Sequence, residues 1–203
     1  MLFTTEGLGK YISGAILFEE TLYQNHQDGE SMVKKLNELG IIPGIKVDKG
    51  LNPLPGGGDV ETFCSGLDGL VERAAKYYEQ GARFAKWRAV LQITNDGCPS
   101  KLSIQENAWG LARYARSVQE SGLVPIIEPE ILMDGDHTIE KTAEVQEDVI
   151  KQVYIACQAN VVFLEGTLLK PSMTVNRADC PTKADPMKAV SYTHLTLPTT
   201  PYV

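Results

Sequence analysis

The chain has 203 residues, a formal net charge of -7 and 43% hydrophobic side chains, enough to build one sizeable core. The acidic balance argues against a nucleic-acid partner, because such proteins collect lysine and arginine on one face. Since no signal peptide and no apolar run of membrane-spanning length is found, we expect a soluble intracellular protein without a membrane partner.

The chain opens with two predicted strands separated by a helix. An apolar run at residues 11–18 predicts a buried strand, and the apolar spacing at 32–39 predicts a short helix. Residues 41–48 alternate with a period of two, which puts Lys46 and Asp48 on one face of a second strand. This strand therefore carries charged side chains at its carboxyl end.

The middle of the chain repeats the alternation of helix and strand. Residues 51–58 are rich in Gly and Pro and predict a loop. Apolar residues at steps of three and four then predict a helix from 59 to 81. A third strand at 83–93 places Lys86 and Arg88 on the same face. The second and third strands thus both present basic side chains.

A further helix and a fourth strand follow. The helix is predicted at 103–122, because Ser103–Glu106 fits a capping box and an apolar stripe continues behind it. The strand at 123–131 carries Glu128 and Glu130 on one face near its carboxyl end. This strand contributes acidic groups at the edge where its predecessors contribute basic ones.

The last predicted helix, at 138–158, leads into an apolar strand at 161–171 that contains Lys170. Full burial of an unpaired ammonium group is rare and costly. Lys170 is therefore either a solvated loop residue, as most lysines are, or an amine in a polar pocket at a strand end. The charged ends of the three preceding strands favour the pocket.

Five strands separated by helices, with charges near their carboxyl ends, predict parallel βαβ units and an α/β fold. A barrel and a doubly wound open sheet both fit this alternation. In a barrel the charged faces converge at the carboxyl ends, where such folds hold their active sites, whereas an open sheet would bury them under helices. Because the chain has neither a GxGxxG turn nor a P-loop, we predict a partial (β/α)8 TIM barrel with about five of its eight strands.

Cysteine and histidine usage points away from disulfides and metals. The four cysteines lie far apart without CxxC spacing and are interpreted as reduced thiols, with two on apolar helix faces. The three histidines form no paired motif, so no metal site is expected. The residues in question are Cys64, Cys98, Cys157, Cys180, His26, His137 and His194. The pair on helix faces is Cys64 and Cys157, and His137 is interpreted as a loop histidine.

Several segments together closely resemble class I fructose-bisphosphate aldolases. They are GIKVDKG at 44–50, GLDGL at 66–70, FAKWR at 84–88, VPIIEPEIL at 124–132, DGDH at 134–137 and LEGTLLKP at 164–171. The resemblance runs from Met1 to about Lys188 in one order and with few gaps. It implies a lyase that cleaves fructose 1,6-bisphosphate to dihydroxyacetone phosphate and glyceraldehyde 3-phosphate in glycolysis. No cofactor is implied.

The resemblance also implies roles for individual residues. Lys170 matches the Schiff-base lysine and Glu128 the proton-transfer glutamate. Lys86 and Glu130 match the family residues that surround that lysine. Lys46 and Arg88 match family positions that contact the distal phosphate and the neighbouring hydroxyls of the sugar. Only about one in a thousand ordinary lysine amines is unprotonated at neutral pH, so a neighbouring cation, for which Lys86 is the candidate, is expected to favour the reactive form.

Structural interpretations of these residues stay open beside the functional ones. Lys46 and Asp48 can form a simple surface ion pair, which would contribute little. Arg88 with Glu128 can equally be a structural pair, and the Trp87 face is expected to pack on helices. At the level of function, the alternatives are a non-catalytic binding or structural fragment and, much less favoured, a metal-dependent aldolase.

The resemblance further implies a homotetrameric, cytoplasmic parent, with a plastid form left open. It covers residues 1–190 as an incomplete barrel domain, without the first and last strands and their catalytic aspartate and phosphate loops. Residues 174–177 depart from the family pattern, and 191–203 are predicted to be a non-native tail. We therefore expect this chain alone to be poorly soluble and inactive.

Overall fold

The computed structural model describes residues 2–195, and most of its strands form one parallel sheet. The strands are β1 (Gly14–Leu17), β2 (Ile42–Lys46), β3 (Leu51–Pro53), β4 (Thr62–Cys64), β5 (Phe84–Leu91), β6 (Val124–Ile131) and β7 (Leu168–Leu169). The helices are α1 (Glu19–Tyr23), α2 (Met32–Glu38), α3 (Leu70–Gln80), α4 (Lys101–Glu120), α5 (Ile139–Ala159) and α6 (Pro186–Leu195).

The sheet has the strand order β1-β2-β5-β6-β7, and every neighbouring pair is parallel. Strands β3 and β4 lie outside it as an antiparallel hairpin. Each strand of this sheet lies beside the sheet strand that precedes it in the chain, on the same side every time. Right-handed crossovers between such strands place all of the connecting helices on one face of the sheet. A doubly wound sheet would instead reverse its strand order at a switch point. The order is that of a barrel segment, which confirms the predicted partial TIM barrel.

The two faces of the central strands differ in chemistry. On β5, Ala85, Trp87 and Ala89 are fully buried, and the Trp87 ring stacks on Tyr114 of α4 with centroids 5.4 Å apart. The Tyr114 hydroxyl donates to the carbonyl oxygen of Ala85 at 2.7 Å, which ties the helix to the strand. The prediction that the Trp87 face packs on helices is confirmed. Period-two alternation then sends the charged side chains of β5 to the opposite face.

The long helix predicted at 59–81 is wrong in its first half. Helix α3 begins only at Leu70, and residues 62–64 form β4. Gly66 and Gly69 both have positive φ, at 118° and 62°, a conformation that glycine tolerates and a helix interior does not contain. The apolar spacing before Gly66 therefore belongs to a hairpin whose residues are placed by distant partners.

The predicted capping box of α4 is displaced by three residues. Ser100, rather than Ser103, is the N-cap, and its Oγ accepts a hydrogen bond from the Ser103 backbone N–H at 3.1 Å. The buried carboxylate of Glu61 accepts the Ser100 backbone N–H at 2.5 Å and its hydroxyl at 2.8 Å. Glu61 thus fixes the start of α4 from the hairpin side, a contact that the local pattern does not contain.

The predicted strand at 161–171 is mostly a loop. Only Leu168–Leu169 pair with β6, and Val161 has a φ of 56°, outside the extended region. The side chain of Gln119 on α4 accepts the Phe163 backbone N–H at 3.0 Å and donates to its carbonyl oxygen at 2.8 Å. These two bonds satisfy the backbone that a longer strand would have paired.

Helix α6 runs across the predicted boundary at residue 190 and ends at Leu195, while the remainder of the predicted tail, 196–203, lies outside the described residues. The division into 1–190 and 191–203 stays a prediction. Within residues 2–195, no helix is both long and apolar enough to cross a membrane.

Candidate active site

The six predicted site residues lie on the sheet face away from the helices, five of them on the adjacent strands β2, β5 and β6, and Lys170 directly after β7. Pairing of β2 with β5 sets Lys46 opposite Lys86, and pairing of β5 with β6 sets Arg88 opposite Glu128. Lys170 follows β7 directly, and its backbone N–H donates to the Ile127 carbonyl oxygen at 2.8 Å. The sheet register therefore brings these residues side by side on one face of the sheet.

Glu128 is the centre of the site. Its Oε1 accepts a hydrogen bond from Lys170 Nζ at 2.5 Å, and its Oε2 lies 2.8 Å from Lys86 Nζ. The Glu128 side chain is 8% exposed and that of Lys86 14%, whereas Lys170 is 59% exposed. A buried carboxylate thus bridges a partly buried ammonium and a solvent-facing one, and the solvent-facing amine of Lys170 is the more accessible of the two to a ligand.

Two opposing influences set the protonation of Glu128. Burial raises the pKa of this carboxyl group, but hydrogen bonds and charge attraction from Lys170 and Lys86 act the other way and prevail, so its pKa is lowered. Glu128 is therefore ionised at neutral pH. An ionised carboxylate in hydrogen-bond contact with an ammonium group can accept its proton directly.

The second charged group of the site is Lys46 with Asp48. Lys46 Nζ donates to Asp48 Oδ1 at 2.5 Å and to the Asp48 carbonyl oxygen at 3.2 Å. The pair exists, as the structural interpretation expected, but it is no surface pair, because the Asp48 side chain is 4% exposed. The ammonium also lies 5.7 Å from the centre of the Phe18 ring, within the range of a cation–π contact.

Arg88 pairs with Glu130, not with Glu128 as the structural interpretation had it. Its Nε donates to Glu130 Oε2, and this contact raises the pKa of Arg88. Both side chains are about one-third exposed. Arg88 and Glu130 therefore line the more open side of the site.

Cys64 lies beside the site, not on a helix face as the sequence predicted. Its thiol donates to the Arg88 carbonyl oxygen at 2.6 Å, and burial together with the charge of Asp48 raises its pKa to about 12. A thiol with that pKa is not a nucleophile at neutral pH. Its contribution is to hold the β4 edge of the hairpin against β5.

A buried arginine near the site has no counterpart among the predicted residues. Arg177 is 2% exposed, and its Nε donates to His137 Nε2 at 2.8 Å. This makes His137 an acceptor at that nitrogen, and burial and the arginine charge both lower its pKa. The only sequence signal was that 174–177 departs from the family pattern, which gave no indication of burial.

Comparison with known proteins gives a consistent result. The family model described as fructose-bisphosphate aldolase class-I matches residues 1–201. A chloroplastic fructose-bisphosphate aldolase 3 of Arabidopsis thaliana is 55% identical over 193 residues, which are 95% of this chain and 49% of the relative. A fructose-bisphosphate aldolase of Dictyostelium discoideum is 56% identical over 195 residues, which are 96% of this chain and 54% of the relative.

Among solved structures, the aldolase of Plasmodium falciparum in complex with TRAP and a small molecule inhibitor superposes with a TM-score of 0.93 at 54% identity. The match covers 96% of this chain and 56% of that one. This chain therefore spans about half the length of the relatives it matches.

The expectation of a cytoplasmic location is wrong. Highly similar relatives from Arabidopsis thaliana, Pisum sativum, Oryza sativa and Spinacia oleracea are all named as chloroplastic proteins.

Proposed function

Because this chain belongs to the class I fructose-bisphosphate aldolase family, we propose that it forms the Schiff-base half of an aldolase that cleaves fructose 1,6-bisphosphate to dihydroxyacetone phosphate and glyceraldehyde 3-phosphate. The observation that carries the proposal is the bridging of Lys170 and Lys86 by the buried carboxylate of Glu128. We propose that this chain is part of a longer protein, which is called the parent protein below.

The first proposed step is attack of the Lys170 amine on the ketone carbon of the sugar. The amine must lose a proton to become a nucleophile, and Glu128 Oε1, 2.5 Å away, is the acceptor. The new N–C bond gives a carbinolamine. Protonated Glu128 then returns its proton to the carbinolamine hydroxyl, which leaves as water, and a protonated imine forms on Lys170.

The second step breaks the bond between carbons 3 and 4. The electron pair of that bond moves into the protonated imine, which becomes an enamine, and glyceraldehyde 3-phosphate is released. The hydroxyl on carbon 4 must lose its proton as the aldehyde forms, and we assign that base to the part of the parent protein outside this chain. Protonation and hydrolysis of the enamine adduct then free dihydroxyacetone phosphate and restore Lys170.

Lys86 supports the first step through its charge. It holds the second oxygen of Glu128 at 2.8 Å and so keeps the carboxylate aimed at Lys170. Lys86 therefore acts on Lys170 through Glu128. Glu130 contributes by fixing Arg88 at the open side of the site.

The remaining basic residues fit an anionic substrate. Four cations and three carboxylates line the site, so it carries a net positive charge. We propose that Lys46 and Arg88 bind the distal phosphate and the neighbouring hydroxyls through charge-assisted hydrogen bonds. We further propose that the parent is a chloroplast protein, that its reaction is the glycolytic cleavage, and that it assembles as a homotetramer.

Reductive trapping tests this function. Borohydride added to the parent protein with substrate reduces an imine to a stable amine, and peptide mapping then locates the adduct. We expect the label on Lys170 and its loss in a Lys170→Arg variant, with Lys151→Arg on the outer helix α5 as the matched control. A label on Lys86 or Lys46 would overturn the assignment.

A further inference from the structure

Asp48 lies just past the end of β2, on the face that points into the site. The mechanism above gives it no role, yet it makes the closest contact of Lys46. Its Oδ1 is 2.5 Å from Lys46 Nζ, and its carbonyl oxygen accepts a second hydrogen bond from the same nitrogen at 3.2 Å. Two of the three ammonium hydrogens are therefore directed to one residue.

The burial of this pair is unequal. The Asp48 side chain is 4% exposed, whereas that of Lys46 is 26% exposed. The ring of Phe18 flanks the ammonium at 5.7 Å, which restricts it from another direction. The Asp48 carboxylate is thus the buried member of the pair, and the Lys46 ammonium is the member that faces solvent. One hydrogen of this ammonium group remains to donate to an oxygen of a ligand.

The backbone around Asp48 is held on two sides. Arg73 of α3 donates to the carbonyl oxygen of Val47 at 3.4 Å, and the Lys49 backbone N–H donates to the Ser65 carbonyl oxygen at 2.9 Å. These contacts anchor the end of β2 to the first turn of α3 and to the hairpin. Asp48 is therefore a rigid support for the lysine.

The pair is a poor device for stability alone. Asp48 Oδ2 is buried and receives no hydrogen bond within the described part of the chain, and an unsatisfied buried oxygen is costly. Buried ion pairs are also frequently no more stable than apolar residues of the same size. The Asp48 carboxylate therefore contributes little to stability. Its position is better explained by a need to hold the Lys46 ammonium in one place.

We propose that Asp48 is a positioning residue that aims the Lys46 ammonium at the distal phosphate, and that it thereby sets the preference of the enzyme for sugar bisphosphates over monophosphates. The inference rests on the proposed function, since it names the residue that orders one substrate subsite. It assigns Asp48 no contact with the reacting carbons.

The test compares two substrates of the parent protein, fructose 1,6-bisphosphate and fructose 1-phosphate, which lacks the distal phosphate. Asp48→Asn keeps the shape of the side chain and removes its charge. We expect kcat/KM for the bisphosphate to fall by about 10- to 100-fold, the worth of one charge-assisted hydrogen bond, and that for the monophosphate by at most about threefold. Lys46→Met should abolish the same preference, and adding Asp48→Asn to it should cost nothing more.

The controls separate positioning from folding. Asp148→Asn on the outer face of α5 is exposed and should leave both substrates unaffected. If Asp48→Asn folds poorly, Asp48→Glu keeps the charge but displaces the ammonium, and the same selective loss is expected. Equal losses on both substrates, or none, would overturn this inference while the proposed function stands. A parent protein that cleaves neither substrate would overturn both.

Discussion

Two clusters of lysine and carboxylate in this molecule have similar composition and opposite surroundings. On the surface, Lys34 and Lys35 of α2 contact the carboxylate of Glu30, whose side chain is one-third exposed. In the site, Lys86 and Lys170 contact Glu128, which is almost fully buried. Both carboxyl groups have lowered pKa values.

What differs between the clusters is the medium. Water and salt screen charges at the surface, and pairs there contribute little. In the site the low dielectric strengthens each interaction, and removal of one partner leaves an uncompensated charge. A lowered carboxyl pKa alone therefore does not mark a catalytic site, and we propose that burial of the carboxylate together with one exposed amine is what distinguishes the Glu128 cluster.

The largest expected effect is the loss of the nucleophile. Lys170→Arg keeps the positive charge but removes the amine that forms the imine, so kcat/KM for fructose 1,6-bisphosphate should fall by at least about ten-thousandfold. Lys34→Arg makes the same change in the surface cluster and should leave the rate unaltered. Steady-state assays of the parent protein measure both, and a Lys170→Arg variant with substantial activity would contradict the assignment.

The next effect is the loss of the proton carrier. Glu128→Gln is nearly isosteric but cannot accept the proton of Lys170, so kcat should fall by about 100- to 10,000-fold. The imine should then form slowly, and a rapid-quench borohydride experiment should show delayed trapping on Lys170. Unchanged trapping kinetics would show that Glu128 does not act at the carbinolamine stage.

Period-two alternation on the long strands was the part of the site that could be read from the sequence. It placed Lys86 with Arg88, and Glu128 with Glu130, because neighbours two apart on a strand must share a face. That one rule, together with the parallel order of the strands, also predicted that these charges meet at one edge.

The errors arose where distant residues determine local structure. The hairpin and the start of α4 depend on Glu61, which bonds to Ser100 across 39 positions of the chain, and the loop at Phe163 depends on Gln119. No window of neighbouring residues contains such contacts. The pairing partners within the site, such as Glu130 for Arg88, likewise depend on side-chain geometry and not on spacing.

Acid should destabilise the fold through protonation of Glu128. The Glu128 pKa is lower in the folded protein than its ordinary value of 4.5, so its contribution to stability is fully present above about pH 4.5 and is lost as the pH falls through the folded value. Urea unfolding of the parent between pH 3 and 6 should show this loss in the wild type and a flatter profile in Glu128→Gln. Parallel profiles would show that Glu128 is not linked to folding.

A second pH effect involves the buried Arg177. Because its Nε donates to His137 Nε2, protonation of His137 would break this bond and place two cations together, with Lys141 a further nearby cation and Asp136 a partly compensating anion. The folded pKa of His137 is lower than 6.5, so its contribution is present above about pH 6.5 and is lost as the pH falls through the folded value. His137→Gln can supply an acceptor that does not titrate, so it should remove the stability loss that begins below about pH 6.5. Urea unfolding of both proteins across this range is the measurement, and a loss that persists in the variant would contradict the interpretation.

The smallest effect is expected in the surface cluster, where removal of the Glu30 charge should not affect activity. Glu30→Gln removes the same charge from two lysines as Glu128→Gln does, but Lys34 is more than half exposed, and Lys35 keeps Asp28 as a partner at 2.8 Å. We therefore expect kcat/KM to change by less than about twofold, as is usual for exposed pairs, and any shift in the urea midpoint to vanish in about 1 M salt, where the screening length is about 3 Å. The activity loss in Glu128→Gln should persist at that salt concentration, because salt does not supply the missing proton acceptor. If salt abolished both effects, or if Glu30→Gln lowered activity as far as Glu128→Gln, burial would not be what distinguishes a site from a surface.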